Sequence, residues 1–206
     1  MDGRRLLVAP ELRVVVTVVR QTAGVLLTGG SSRRMGTDKA RLVVNGETLA
    51  ARSARVLGAV CDPVLEVGPG VSGLPAISED PPGAGPLVAL LAGVGALGGP
   101  RSVVLLACDL PNVTPAVIRL LVDWPGSGTV IPVVDGRSQY ACARYGQAAF
   151  DEAHALLRQG LRSLRGLAGS GCEYISEADW SCVASASTFA DVDTPEDLHR
   201  LGLSNS

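Results

Sequence analysis

Aromatic residues make up only 3% of this 206-residue sequence, so its core has to be assembled from Val, Leu and Ala. Histidine is scarcer still. With His154 and His199 alone, and no two of Cys61, Cys108, Cys142, Cys172 and Cys182 at C-x-x-C spacing, a zinc site is not expected. The odd number and scattered spacing of the cysteines also exclude a disulfide framework; they read as small buried hydrophobes of a reducing, cytoplasmic compartment. No basic excess exists, because the net charge is −2, and no aromatic residues interleave with basic ones. A nucleic-acid surface is therefore not expected, while a small anion held by a local cluster remains compatible. Val14–Val19 is too short to span a bilayer, so no membrane role is read. Arg4 and Arg5 before Leu6–Ala9 hint at a signal peptide, but Pro10, Glu11 and Arg13 break the apolar run and no small-residue cleavage site follows. Residues 1–20 read as a poorly ordered extension with room for an extra edge strand, or as sequence upstream of a later start; residues 21–206 read as one domain.

What is present points to a folded α/β chain. Hydrophobic residues reach 47% and charged residues 18%, which argues against disorder, and this length buries a substantial core without cross-links. Strands are expected at Val25–Thr28, Val64–Val67, Ser102–Ala107, Thr129–Val134, Tyr140–Arg144 and Glu173–Ser176. Helices are expected after Thr48, from Pro86 through Leu97, after Thr114-Pro115, over Gln147–Arg158 and Arg162–Leu167, and after Thr194-Pro195. This alternation predicts a Rossmann-like, mainly parallel central sheet with helices on both faces. Ligands of such sheets bind beyond the carboxyl ends of the strands. Three segments fall there: Thr28–Lys39, Asp109, and the turn holding Asp191 and Asp193.

The first of these, Leu27-Thr-Gly-Gly-Ser-Ser-Arg-Arg-Met-Gly-Thr-Asp-Lys39, has the composition of a phosphate cradle. Gly29, Gly30 and Gly36 let the backbone approach a bulky anion and turn N–H groups toward it. Ser31 and Ser32 add hydroxyl donors, Arg34 (or Arg33) can grip phosphate oxygens in bidentate fashion, and Lys39 adds a compact charge. The segment matches neither G-x-x-x-x-G-K-[ST] nor G-x-G-x-x-G. A solvated glycine loop is the bland alternative, weakened by the buried strand directly before it. Asp109, at the carboxyl end of the most apolar strand, can hold Mg²⁺ over nucleotide phosphates. Its alternative use as a helix cap is weakened by Thr114, which stands ready for that task.

The segment resembles the signature of the molybdenum cofactor guanylyltransferase family, leucine-alanine-Gly-Gly-x-Ser-x-Arg-Met-Gly-x-Asp-Lys. Ser32, Arg34, Met35, Gly36, Asp38 and Lys39 match in order, and Thr28 stands where alanine is usual. Glu79-Asp80 before Gly85-Pro86-Leu87, Cys108-Asp109-Leu110-Pro111, Gly160–Arg165 and Asp191-Val-Asp-Thr-Pro-Glu-Asp-Leu198 continue the likeness across about residues 23–201. Two further departures are Val67-Gly68, where asparagine often follows the strand, and Gln139-Tyr140, where Gln-Pro is frequent.

The resemblance implies transfer of GMP from GTP to molybdopterin of the molybdenum cofactor, with release of pyrophosphate and with Mg²⁺ as cofactor. It implies nucleotide contacts from Leu27, Thr28, Gly29, Gly30, Ser32, Lys39, Asp80 and Asp109, with Lys39, Arg34 and Asp109 catalytic. Asp109 and one of Asp191 and Asp193 would bind the metal. Asp193 could equally be a helix cap, and Asp80 a turn former. Arg162 and Arg165 could receive the acceptor phosphate or form a solvated helix face. The likeness leaves room for transient contact with cofactor-supplying or molybdoenzyme-maturation proteins. Use of CTP, another phosphorylated acceptor, or a non-catalytic nucleotide-binding role are the alternatives.

Overall fold

The computed structural model describes residues 22–29, 39–169 and 171–203. Gly30, Ser31, Ser32, Arg33, Arg34 and Gly36 of the cradle, and the extension at residues 1–20, lie outside the described residues.

Strand β1 (Ala23–Leu27) leads through a 3-10 turn at Lys39–Arg41 to the small hairpin β2 (Val43–Val44) and β3 (Glu47–Thr48). Helix α1 (Leu49–Gly58), β4 (Val64–Val67), β5 (Ala76–Ile77), α2 (Pro86–Ala96), β6 (Ser102–Ala107) and α3 (Pro115–Asp123) follow. The second half holds β7 (Thr129–Val134), β8 (Arg137–Ser138), β9 (Cys142–Gly146), α4 (Gln147–Arg158), β10 (Cys172–Ile175), α5 (Glu177–Trp180) and α6 (Pro195–Arg200). The sheet runs β10-β7-β9-β6-β1-β4-β5, with β8 pairing β7 at its side.

The mainly parallel sheet expected from the sequence is present, with β9 reversed between β6 and β7. Chain length dictates that reversal. Seven residues separate Val134 from Cys142, too few for the crossover that a parallel return needs. Asp135-Gly136 turns the chain inside that connection, both residues with positive φ (48° and 73°), the type I′ geometry that suits a two-residue hairpin. Asn45-Gly46 does the same between β2 and β3, at 52° and 80°.

Side chains alternate faces along each strand, so one apolar run feeds two cores. Leu26, Val104 and Leu106 pack with Ala54, Leu57, Ile118 and Leu121 of α1 and α3. Val25, Leu27, Val103 and Leu105 pack with Leu87, Leu90 and Val94 of α2 and with Phe150 and Ala153 of α4. Helix α2 rides close to the sheet at Gly93, where an added Cβ would lie 2.9 Å from both Val25 methyls. Gly93→Leu is therefore expected to lower stability by about 1–3 kcal/mol, read as a lower urea midpoint at unchanged slope.

Some boundaries differ from expectation for local reasons. Residues 162–167 form no α-helix, only a 3-10 turn at Leu164–Leu167, where Gly166 lies against Leu156. Strand β9 begins at Cys142 rather than Tyr140, because the Cys142 amide is used in a turn to the Gln139 carbonyl (3.1 Å). All five cysteines are thiols; Cys61, Cys108 and Cys142 are buried as expected, but Cys182 is exposed. Burial pushes the Cys61 and Cys142 thiols up to about 12. Among the described residues no helix is long and apolar enough to cross a membrane.

Candidate functional site

Strands β1 and β6 lie side by side in parallel, Leu27 opposite Ala107, so the residues after them emerge together. The Cys108 amide donates to the Leu27 carbonyl (3.0 Å) and fastens these two ends. The Val192 amide donates to the Asp109 carbonyl (2.9 Å), which brings the Asp191 turn against Asp109. Helix α6 then begins with a complete capping box. The Asp197 carboxylate accepts from the amides of Asp193 (2.9 Å) and Thr194 (2.8 Å), and Thr194 accepts from the Asp197 amide. Thr194 is thus the cap, which leaves the Asp193 side chain for another task. That task is an ion pair with the Lys39 ammonium. Val44, Leu49, Val192 and Leu198 form a small separate core.

These residues face a cleft of about 1150 Å³. One part of its wall is Leu27, Thr28, Gly29, Lys39, Asp109 and Asp191. The other part carries Arg137, Gln139, Tyr140, Ser163 and Arg165. Burial pushes the Asp109 carboxyl up to about 6; the Lys39 ammonium pulls it down and the charges of Asp191 and Asp193 raise it. A carboxylate that is costly to ionise and faces a second carboxylate is the arrangement a cation relieves. Among the described residues no group of three or more His, Cys, Asp or Glu side chains forms a cage. Asp109 and Asp191 therefore fit a hard cation that keeps waters and takes its remaining ligands from phosphates.

Not every singled-out residue faces this cleft. Asp80 is exposed and absent from the cleft wall, whereas its neighbour Glu79 is buried. The Glu79 carboxylate accepts from the Gly83 amide (2.9 Å) and lines a smaller cavity of about 220 Å³ with Leu27, Gly29, Val67 and Pro86. Sequence reasoning passed over Glu79, although its place beside Asp80 in a loop leading to Gly85-Pro86 could have flagged it. Arg165 lines the main cleft, while Arg162 bonds the Ala84 carbonyl (3.4 Å) outside that wall. Thr114 occupies the cap position of α3 but makes no side-chain cap bond. His154 and His199 are exposed.

The profile of the MobA-like NTP transferase domain matches residues 24–179. The chain belongs to this family. It is 34% identical over 185 residues, 84% of this chain and 92% of the other, to a Mycobacterium marinum protein named "Probable molybdenum cofactor guanylyltransferase". It is 39% identical over 153 residues, 69% of this chain and 75% of the other, to an Opitutus terrae protein of the same name. The fold resembles that of molybdopterin-guanine dinucleotide biosynthesis protein A from Archaeoglobus fulgidus, with a TM-score of 0.74 at 23% identity, over 87% of this chain and 96% of that one.

Two departures of this MobA-like chain from the usual pattern meet in space. The Thr28 hydroxyl donates to the carboxylate of Glu66, a residue of β4 with no exposed surface. A Cβ on Gly68 would lie 2.1 Å from that hydroxyl oxygen. Burial raises the Glu66 carboxyl, but donors from Ser72, Thr28 and Val71 bring it below its ordinary value.

Proposed function

We propose that this MobA-like nucleotidyltransferase transfers GMP from GTP to the terminal phosphate of molybdopterin in the molybdenum cofactor, and that it works in the cytoplasm. The carrying observation is the convergence of Thr28-Gly29, Lys39, Asp109 and Asp191 in one cleft, at the carboxyl ends of β1 and β6. The names of the curated relatives supply the nucleotide and the acceptor.

The acceptor phosphate is already anionic, so no general base is required. One of its oxygens attacks the α-phosphorus of GTP. A new P–O–P linkage forms as the α–β bridging bond breaks, and pyrophosphate leaves with the electron pair. The chain's task is alignment and charge neutralisation. Gly29 and Gly30 offer backbone donors, Ser32 a hydroxyl and Arg34 a bidentate grip for the departing pyrophosphate. Lys39, steadied by Asp193, answers charge growing at the α-phosphate. Arg165 stands on the acceptor side of the cleft. Mg²⁺ held by Asp109 and Asp191 would supply Lewis-acid neutralisation of the phosphates.

Product analysis with each nucleoside triphosphate, Mg²⁺ and molybdopterin tests the proposal. GMP addition and pyrophosphate release from GTP are expected; CMP addition, or binding with no pyrophosphate release, would reject it. In the same assay Asp191→Asn should raise the Mg²⁺ concentration needed for half-maximal rate roughly tenfold, the scale of a lost metal contact. Asp193→Asn should lower the rate and leave that Mg²⁺ requirement unchanged.

A further inference from the structure

Residues Gly68-Pro69-Gly70-Val71-Ser72-Gly73 follow a strand and spell G-x-G-x-x-G, the pattern of a backbone cradle for phosphate. No helix follows them; the chain enters β5 instead. Their amides already hold an anion, the chain's own Glu66 carboxylate. It accepts from Gly70 (2.8 Å), Val71 (3.1 Å) and Ser72 (2.8 Å), and from the hydroxyl of Thr28. A buried carboxylate fully served by donors is rigid, because moving any one donor leaves charge unsolvated. The Thr28 hydroxyl lies directly above Gly68, where an added Cβ would also come within 2.8 Å of the Gly29 amide nitrogen. The Thr28 amide in turn donates to the Val67 carbonyl (3.2 Å). Thr28 is thereby fixed through both its backbone and its side chain, where it and Gly29 line the cleft wall.

We propose that Thr28, clamped by Glu66 over Gly68, is a positioning residue that fixes the backbone of Gly29 in the wall of the nucleotide cleft. The proposal rests on the nucleotide reading of this cleft and adds the device that holds Gly29 in place. The hydroxyl is turned to Glu66, so its effect reaches the triphosphate through the backbone of Gly29. Loss of the hydroxyl should weaken triphosphate binding without changing what the site contacts.

The test is calorimetric titration of the full chain with GTP and Mg²⁺, at a temperature far below each variant's melting midpoint, so that every molecule is folded. Thr28→Val, equal in shape but without a donor, is expected to bind GTP about tenfold more weakly. Thr28→Ser, which keeps the donor, recovers most of that loss. Glu66→Gln, which keeps the shape and removes the charge, shows a loss like that of Thr28→Val. Wild-type affinity in folded Thr28→Val or in folded Glu66→Gln, whatever their melting midpoints, makes the clamp merely structural and overturns the proposal. An equal loss in Thr28→Ser and Thr28→Val overturns it too, since the hydroxyl is then not the determinant. Wild-type protein that binds no nucleoside triphosphate removes the nucleotide reading and this proposal together.

Discussion

Asp109→Asn should lose about 10²–10³ in transfer rate, the usual effect of deleting one preorganised charge-stabilising group, and yet melt at a higher temperature than wild type at pH 8. Lys39→Ala should lose activity on the same scale, without the gain in stability. The gain follows from the carboxyl's placement. Burial pushes Asp109 from an ordinary 3.8 up to about 6, so the folded chain holds that proton more tightly than the unfolded chain does. The sign is then fixed. Below about pH 4 the group is neutral in both states and costs nothing. Between pH 4 and 6 the unfolded chain ionises first, and above 6 the full penalty applies. The interval of roughly two units corresponds to at most about 3 kcal/mol, or roughly 6–12 °C for a domain of this size. Melting curves of both proteins from pH 4 to pH 8, without divalent cation, should coincide at the acid end and separate with rising pH. A constant offset, or a lead for wild type at pH 8, would contradict this account of Asp109.

Arg144→Met should be the most damaging single change outside the cleft. Arg144 sits on β9 with 2% of its surface exposed, on the face packed against α3. Its guanidinium donates to the carbonyls of Leu121 (2.9 Å), Val122 (3.1 Å), Trp124 (2.8 Å), Pro125 (3.4 Å) and Gly128 (3.0 Å). It therefore closes the carbonyl end of α3, where the helix dipole favours a cation. Methionine fills much of the volume but leaves these acceptors without donors. The expected loss is about 3–5 kcal/mol, roughly 6–20 °C in melting midpoint. Arg144→Lys should recover only part of it, because an ammonium cannot fork to five carbonyls. A melting midpoint within 2 °C or so of wild type for the methionine variant would show that water serves these carbonyls.

Much of this architecture was legible from residue pattern. Apolar runs bounded by glycine and proline gave β4, β6 and β7 their places. Thr48 does cap α1, accepting from the Ala51 amide at 3.1 Å, and Pro86 does open α2. The Asp135-Gly136 turn went unread although its dipeptide is a hairpin signal; it joins β7 to β8. Glu66 and Arg144 were illegible for a different reason. Alternation marks their positions as interior but cannot tell which backbone groups will face them, and the partners lie up to 38 residues away for Glu66 and 23 for Arg144. The ion pair of Asp193 was hidden for the same reason, since its Lys39 partner is 154 residues distant. Thr28 and Gly68 looked like two separate departures; spatially they are one.

That 154-residue separation has a consequence for biosynthesis. Lys39 leaves the ribosome well before the turn that pairs with it and before the neighbouring apolar residues Val192 and Leu198. The sheet can condense around β1 and β6 while the polypeptide is still growing. Lys39 gains its ion-pair partner only when the turn before α6 has emerged and docked, so on the proposed role of Lys39 a nascent chain lacking α6 would hold a nearly complete scaffold with that lysine unset.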